Sequence, residues 1–299
     1  MQGAAAHDID QIIISELEHA SIDALAQIQL PVPVRYCQTN TQGSPDLQHL
    51  ETLLKAGRSL VAMMHVNNET GCIFPIKEIG RLVKLQCGTL HVDIAQSLEK
   101  IAIQEVIDTA DSLSFSFHKI NGPTGVGCLA IKKAQRKLSP IYAGGGQEAA
   151  LRSGTICLPL IAGAAASLTG QIPRDPAHSQ TLETFFEKTV EHYQIISSDA
   201  PKSPFIQMVC FPGVINDDLI AALSQKNIWV GKGSACNAWK GNLSRVLSKM
   251  KVDDFLNESC IRLSFSKTTQ HHEVTHFMTH FPDCYEKALA QSPYHAHRA

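Results

Sequence analysis

Lys119 stands in the stretch SLSFSFHKINGPTGVGCLAI (112–131), between a histidine and a run of turn-forming residues. Upstream, apolar residues alternate with serine in the period-2 pattern of a strand. Downstream, NGPTGVG is loop chemistry followed by another strand. A lysine that is merely solvated needs no such setting, whereas an amine that must react with a carbonyl is served by it. Two further clusters have similar placement. HVNNETG (65–71) follows one strand-length apolar run, and HVDIAQ (91–96) carries Asp93 at the end of the next. Each taken alone can be a cap or a turn. Taken together they supply what pyridoxal phosphate requires: Lys119 for its aldehyde, Asp93 for its pyridinium nitrogen, and Ser116 and His118 for its phosphate.

The elements that must position these residues follow from pattern. Strand-like runs at 10–15, 33–39, 59–66, 89–95 and 112–117 alternate with helical spacing at 18–28, 46–57, 75–88 and 101–108. Such alternation predicts a parallel sheet with crossover helices and ligands at the carboxyl ends of its strands. Near GQIPRDPAHSQ (170–180) prolines, glycine and polar residues mark a boundary. Beyond it a helix at 182–196, a strand at 205–211, a helix at 217–226 and strands at 228–231 and 260–266 predict a smaller α+β domain. The expected division is 1–174, cofactor-binding, and 175–299, carrying the Cys236 loop.

The stretches EHASI, MHVNNETG, HVDIAQS, SFSFHKINGPTGVGCL, GGGQEAALRSGT, GSAC and CIRLSFS run in order from about residue 9 to about residue 275. In this order and spacing the chain resembles the NifS/IscS-type cysteine desulfurases of the class V aminotransferase family, fold-type I pyridoxal phosphate enzymes. Lys119 follows Asp93 by 26 residues, the interval that also separates Cys236 from Arg262. The resemblance implies a role for each matched residue. His19 stacks on the cofactor ring and moves protons, Asn68 bonds near the ring oxygen or the substrate carboxylate, and Gln96 reaches the ring hydroxyl. Thr155 reaches the phosphate of a partner subunit, which implies a homodimer, and GGGQE (144–148) falls near that contact. Arg262 grips the substrate carboxylate through its planar fork. Cys236, in the Gly- and Ser-rich GKGSACNAWKGN (231–242), is the thiolate that takes sulfur from L-cysteine, leaving alanine and a persulfide, with Lys232 favouring the thiolate. An iron-sulfur scaffold or another sulfur acceptor is the implied protein partner. CNAW departs from the family's Ser/Thr-rich sequel there.

The resemblance also implies roughly eighty residues before this sequence, the size of a few βα units. They include a GATES-like turn at a helix N-terminus that serves the cofactor phosphate. The chain is therefore expected to be incomplete at its N-terminus. Two alternatives stay open: a non-catalytic remnant or partner subunit, and another class V activity such as an aminotransferase or selenocysteine lyase.

Composition bounds the rest. The 299 residues carry 26 basic and 28 acidic side chains, a net charge of −2 that gives no footprint for nucleic acid. No apolar run is long enough to span a membrane. Nine scattered cysteines without a CxxC pair argue against a disulfide framework and a structural zinc, and predict a reducing, cytosolic setting. His272, His276 and His280 share one helical face, read as solvated rather than as a metal site.

Overall fold

Apolar, weakly charged runs form the strands of a six-stranded sheet. In the computed structural model, which describes residues 9–132, 138–140, 142–171, 177–233 and 243–294, the first elements are β1 (Gln11–Ser15), α1 (Ala20–Asp23), β2 (Val34–Cys37), α2 (Leu47–Leu54) and β3 (Ser59–Met64). They are followed by α3 (Ile76–Leu85), β4 (Thr89–Asp93), α4 (Gln104–Thr109), β5 (Ser112–Ser116), β6 (Gly127–Ile131) and α5 (Leu158–Ser167). The sheet order is β2-β1-β3-β4-β5-β6. The first five strands pair in parallel and β6 antiparallel on β5. The expected parallel α/β architecture is therefore present. Its crossover helices are set locally: the Asp46 carboxylate caps α2 by accepting from Gln48 and His49 N–H. On α3, Ile76, Ile79 and Val83 turn one apolar stripe inward.

The chain divides into two units. The first comprises residues 1–39, 45–66 and 74–172; the second comprises 40–44, 67–73 and 173–299. The second holds α6 (His178–Thr189), β7 (Gln194–Ile195), β8 (Ile206–Cys210), α7 (Asn216–Ser224), α8 (Arg245–Lys249), α9 (Asp254–Asn257), β9 (Cys260–Ser264) and α10 (His271–Gln291). Its sheet is antiparallel, in the order β7-β8-β9. The excursion 67–73 is fixed there by its own turn. Asn67 Oδ1 accepts from the N–H groups of Glu69 and Thr70, both at 2.9 Å. Gly71, at φ +77°, passes so close to the Ile206 carbonyl that a Cβ would stand 2.4 Å from its oxygen.

Several expectations are corrected. The helix expected over 182–196 ends at Thr189, because Val190 turns extended and Gln194–Ile195 pairs with β8. Strand pairing there outweighs helical spacing. The strand expected at 228–231 contributes only a bridge between Gly231 and Arg262. The helix expected over 18–28 is a short α1 followed by a 3-10 turn, Ala24–Gln27. α5 has no counterpart among the expected elements, since its apolar residues follow no one-sided period. Cys210 and Cys260 face each other in the register of β8 and β9 and form a disulfide, where none was expected. They are 50 residues apart in sequence, so only the strand pairing brings them together. No helix among the described residues is long and apolar enough to cross a membrane.

The second unit is held by a cluster of aromatic rings. Phe281, fully buried, lies 5.3 Å from Phe186, 5.2 Å from Phe211 and 5.1 Å from Phe277 between ring centroids. Truncating it removes both transfer energy and packing. Phe281→Ala is expected to destabilise this unit by about 3–5 kcal/mol, read as a lower urea midpoint in the tryptophan and near-ultraviolet transitions.

Candidate active site

In the first unit the residues of interest sit at or just beyond the carboxyl ends of β1, β4 and β5. β4 is paired on both sides, with Asp93 opposite Met64 on β3 and Ser114 on β5. That position leaves Asp93 half-buried. Burial raises its pKa; the Ala95 N–H, bound to Oδ1 at 2.8 Å, and the charges of His19 and Lys119 act in the opposite sense. The structure thus brings His19 and Lys119 each within electrostatic reach of Asp93.

Each partner is set by local structure. His19 is the N-cap of α1, and its Nδ1 accepts from the Ser21 N–H at 3.2 Å. A nitrogen that accepts cannot carry the proton, so the neutral ring has its hydrogen on Nε2. Lys119 lies in a 3-10 turn, Phe117–Ile120, closed by Asn121 in the left-handed region. The apolar setting expected of Lys119 belongs to its neighbours: Phe117 and Ile120 are buried and anchor the turn, while His118 and Lys119 are exposed. The pKa of His118 is lowered, by desolvation first and by the Lys119 charge second. Ser116 is half-buried at the end of β5. Gln96 is committed through its oxygen, which accepts from Lys100 Nζ at 2.7 Å. Thr155 is exposed.

Asn68 and Arg262 belong to the second unit. The Asn68 carbonyl accepts from Arg262 Nη1 at 2.9 Å, and Arg262 Nε is buried with no hydrogen-bond partner among the described residues. Desolvation lowers the Arg262 pKa, against the opposing effect of Glu69. Lys232, expected to favour a thiolate at Cys236, donates to both carboxylate oxygens of Asp217, at 2.8 and 2.7 Å. Cys236 itself lies outside the described residues.

Three polar groups were missed by sequence reasoning. His91 points its two ring nitrogens at the hydroxyls of Ser112 and Ser114, each at 2.9 Å, and is pushed down to about 4 by burial. The alternation of His91 with Asp93 and of Ser112, Ser114 and Ser116 was the available signal, since alternate residues share a face. His65 is buried with Nδ1 unpartnered among the described residues, and burial pushes it to about 4. Glu69 is the third, nearly fully buried in the Asn67 turn.

The site fits a pyridoxal group on its own chemistry. A buried carboxylate that has been pushed toward protonation gains from a cationic N–H placed beside it, and a primary amine stands within its field. The model of the family described as aminotransferase class-V matches residues 2–277. A mitochondrial cysteine desulfurase of Saccharomyces cerevisiae is 35% identical over 272 residues, covering 88% of this chain and 54% of the relative. A mitosomal cysteine desulfurase of Encephalitozoon cuniculi is 33% identical, covering 98% of this chain and 68% of the relative. Among solved structures, a NifS-like protein from Rickettsia africae superposes with a TM-score of 0.81 at 28% identity, covering 96% of this chain and 78% of that one. The structure described as SspA in complex with cysteine gives a TM-score of 0.73 at 29% identity, covering 90% and 78%.

The chain belongs to the class V aminotransferase family, among its NifS/IscS-type cysteine desulfurases, whose members depend on pyridoxal phosphate. It spans about half the length of the yeast relative. The expected cytosolic location is corrected by these relatives, which are mitochondrial and mitosomal. The spacing of the cysteines in sequence does not tell one compartment from another.

Buried His65 and half-buried His91 make stability depend on pH. Both have folded pKa values of about 4, below the unfolded value of about 6.5. Their contribution is complete above about pH 6.5 and is lost as pH falls toward 4, because the unfolded chain takes up protons that the folded one refuses. Asp93, raised instead, acts oppositely at the acid end. The urea midpoint should fall between about pH 7 and pH 4, and His91→Gln should flatten part of that fall. An unchanged slope in the variant would assign the dependence elsewhere.

Proposed function

We propose that this chain removes sulfur from L-cysteine, giving L-alanine and a persulfide on Cys236. The observation that carries the reading is the half-buried carboxylate of Asp93, its pKa raised by desolvation, within the field of Lys119 and His19 at the strand ends. The cysteine complex of a structural relative and the desulfurase relatives support the substrate. When bound, pyridoxal phosphate supplies an electron sink that lets the substrate's Cα proton leave and its Cβ–S bond break.

This chain's residues do the rest. Asp93 holds the proton on the pyridinium nitrogen. Lys119 holds the cofactor by its aldehyde carbon and moves a proton at the substrate Cα. His19 lies at the same strand ends, and it moves protons there. Ser116, His118 and a partner's copy of Thr155 bind phosphate, and Gln96, already bonded through its oxygen, presents its amide N–H to the ring hydroxyl. Asn68 and Arg262 bind the substrate carboxylate. The Cys236 thiolate attacks the substrate sulfur: an S–S bond forms, the Cβ–S bond breaks with its electron pair going to carbon, and a proton completes the methyl group of alanine. No external oxidant or reductant is consumed.

The reading extends to a homodimer and to an acceptor protein, an iron-sulfur scaffold or another sulfur carrier, that takes the persulfide sulfur. α5 supports the dimer: it is apolar on all sides, yet Leu158 is 72% and Ile161 44% exposed. Helices apolar all round are ordinarily covered. Leu158→Glu should lower the sedimenting mass from dimer to monomer; an identical mass in parent and variant removes α5 from the interface.

The function is tested on the full chain with added cofactor. Lys119→Ala should lose the yellow colour, and its alanine release should fall by at least about 10²-fold. Cys236→Ser should keep the colour and form no persulfide. Colour that survives in Lys119→Ala, or sulfide released at the parent rate by Cys236→Ser, would overturn the assignment.

A further inference from the structure

Glu99 is 8% exposed and stands in the left-handed region, at φ +58°. A residue with a Cβ takes that conformation at a cost, which its surroundings must offset. Its side chain does so within the first unit. Oε1 accepts from the Gly170 N–H at 2.7 Å, and Oε2 accepts from the Thr169 hydroxyl. Both donors belong to the chain that leaves α5 at Ser167. Glu99 itself belongs to the turn after β4 that carries Gln96. That turn is closed by the Ser97 N–H on the Ile94 carbonyl and the Ile101 N–H on the Ser97 carbonyl, each at 3.0 Å.

One side of α5 packs on the turn that carries Lys119. Ala164 forms an apolar cluster with Phe117 and Ile120, and Leu98, next to Glu99, packs against the same cluster. The approach is close. A Cβ on Gly122 would stand 2.7 Å from Ser167 Oγ, and one on Gly163 would stand 3.2 Å from Pro123 Cγ. Ser167 Oγ is itself held, donating to the Ala164 carbonyl at 2.7 Å. Phe117 and Ile120 anchor the 3-10 turn that exposes Lys119, and the Gly122 N–H meets the Phe117 carbonyl at 2.9 Å just beyond it. α5 and the chain leaving it thus meet two turns of the site, the Lys119 turn by apolar packing and the Gln96 turn through Glu99.

We infer that Glu99 is a positioning residue for Lys119: its carboxylate latches the chain leaving α5 and so keeps that helix seated on the Lys119 turn. The inference rests on the proposed function in taking Lys119 as the lysine that holds the cofactor. The contacts themselves are independent of that reading. The latch needs an acceptor for the Gly170 N–H and a partner for the Thr169 hydroxyl, and it does not need a charge. Glutamine supplies both, since its oxygen accepts and its amide N–H can donate to a hydroxyl that has turned. Alanine supplies neither.

The test is native-state trypsin cleavage of the full chain before cofactor is added, mapped by mass, because a lysine held by the cofactor is no trypsin site. Cleavage after Lys119 reads local opening of its turn, and exposed Lys55, at the end of α2, serves as an internal control. Glu99→Ala should cleave after Lys119 at least about tenfold faster than the parent, and Thr169→Val at least about threefold faster, since bonds to a charged acceptor are lost. Glu99→Gln should stay within about twofold of the parent. Cleavage after Lys55 should not change. With pyridoxal phosphate then added, Glu99→Ala should need at least about tenfold more of it to reach half its yellow colour, and Glu99→Gln should match the parent. Parent-like cleavage after Lys119 in Glu99→Ala, equal acceleration at Lys55, or an unchanged cofactor requirement would overturn the positioning role. If Glu99→Ala does not fold, Thr169→Val decides, and parent-like cleavage there overturns the latch. A parent that takes no colour refutes the reading of Lys119, and the cleavage result still decides whether Glu99 holds the turn.

Discussion

The first unit depends on the partial burial of one carboxylate. Asp93 ends a strand that is paired on both edges, so its side chain is carried partly out of water by the ladder itself. The cost is met in part by the Ala95 N–H and by the charges of His19 and Lys119. His19 and Lys119 come from beyond the carboxyl ends of other strands of the same sheet, which a parallel arrangement gathers on one edge. Register matters as much as order. A slip of one residue in β4 would turn Asp93 and His91 to the opposite face and leave the serines of β5 facing apolar side chains.

Much of this was legible in the sequence, and the reason is local. Continuous apolar runs and the serine alternation of β5 are encoded within a few residues, as is the turn chemistry after Lys119. What failed to show depends on residues far apart in the chain. Nothing near Glu69 signals that Ser244 and Gly233 will meet it, and nothing near Cys210 signals Cys260. α6 stops at Thr189 although the residues beyond it keep helical spacing, because β8 offers those residues a partner. The Lys119 setting was half read: the apolar neighbours were seen, but the 3-10 turn that buries Phe117 and Ile120 and exposes the lysine was not.

The excursion 67–73 shows how a short motif can serve a unit distant in sequence. Asn67 folds the turn with its own side chain, Gly71 allows the close approach to Ile206, and Ile73 N–H donates to the Pro201 carbonyl at 2.8 Å. With the turn fixed, Asn68 and Glu69 have no freedom to choose their partners. A stretch that follows β3 in sequence thus supplies the polar surroundings of a strand almost two hundred residues later, and motif order along the chain conceals that.

Desolvation acts on both halves of the chemistry, with unequal consequences. Asp93 responds to desolvation by holding its proton more tightly, and a cation placed beside it, as a pyridinium nitrogen would be, favours its anionic form. Arg262 is half-buried, and desolvation lowers its pKa. A guanidinium nevertheless starts so far above neutrality that it keeps its charge where a buried lysine would shed a proton. With Nη1 committed to Asn68 and Nε unpartnered among the described residues, the fork retains donors in one plane for a bidentate anion. One physical effect therefore prepares the carboxylate to receive a cation and the guanidinium to receive an anion, which are the charges that a protonated pyridine ring and an amino-acid carboxylate bring.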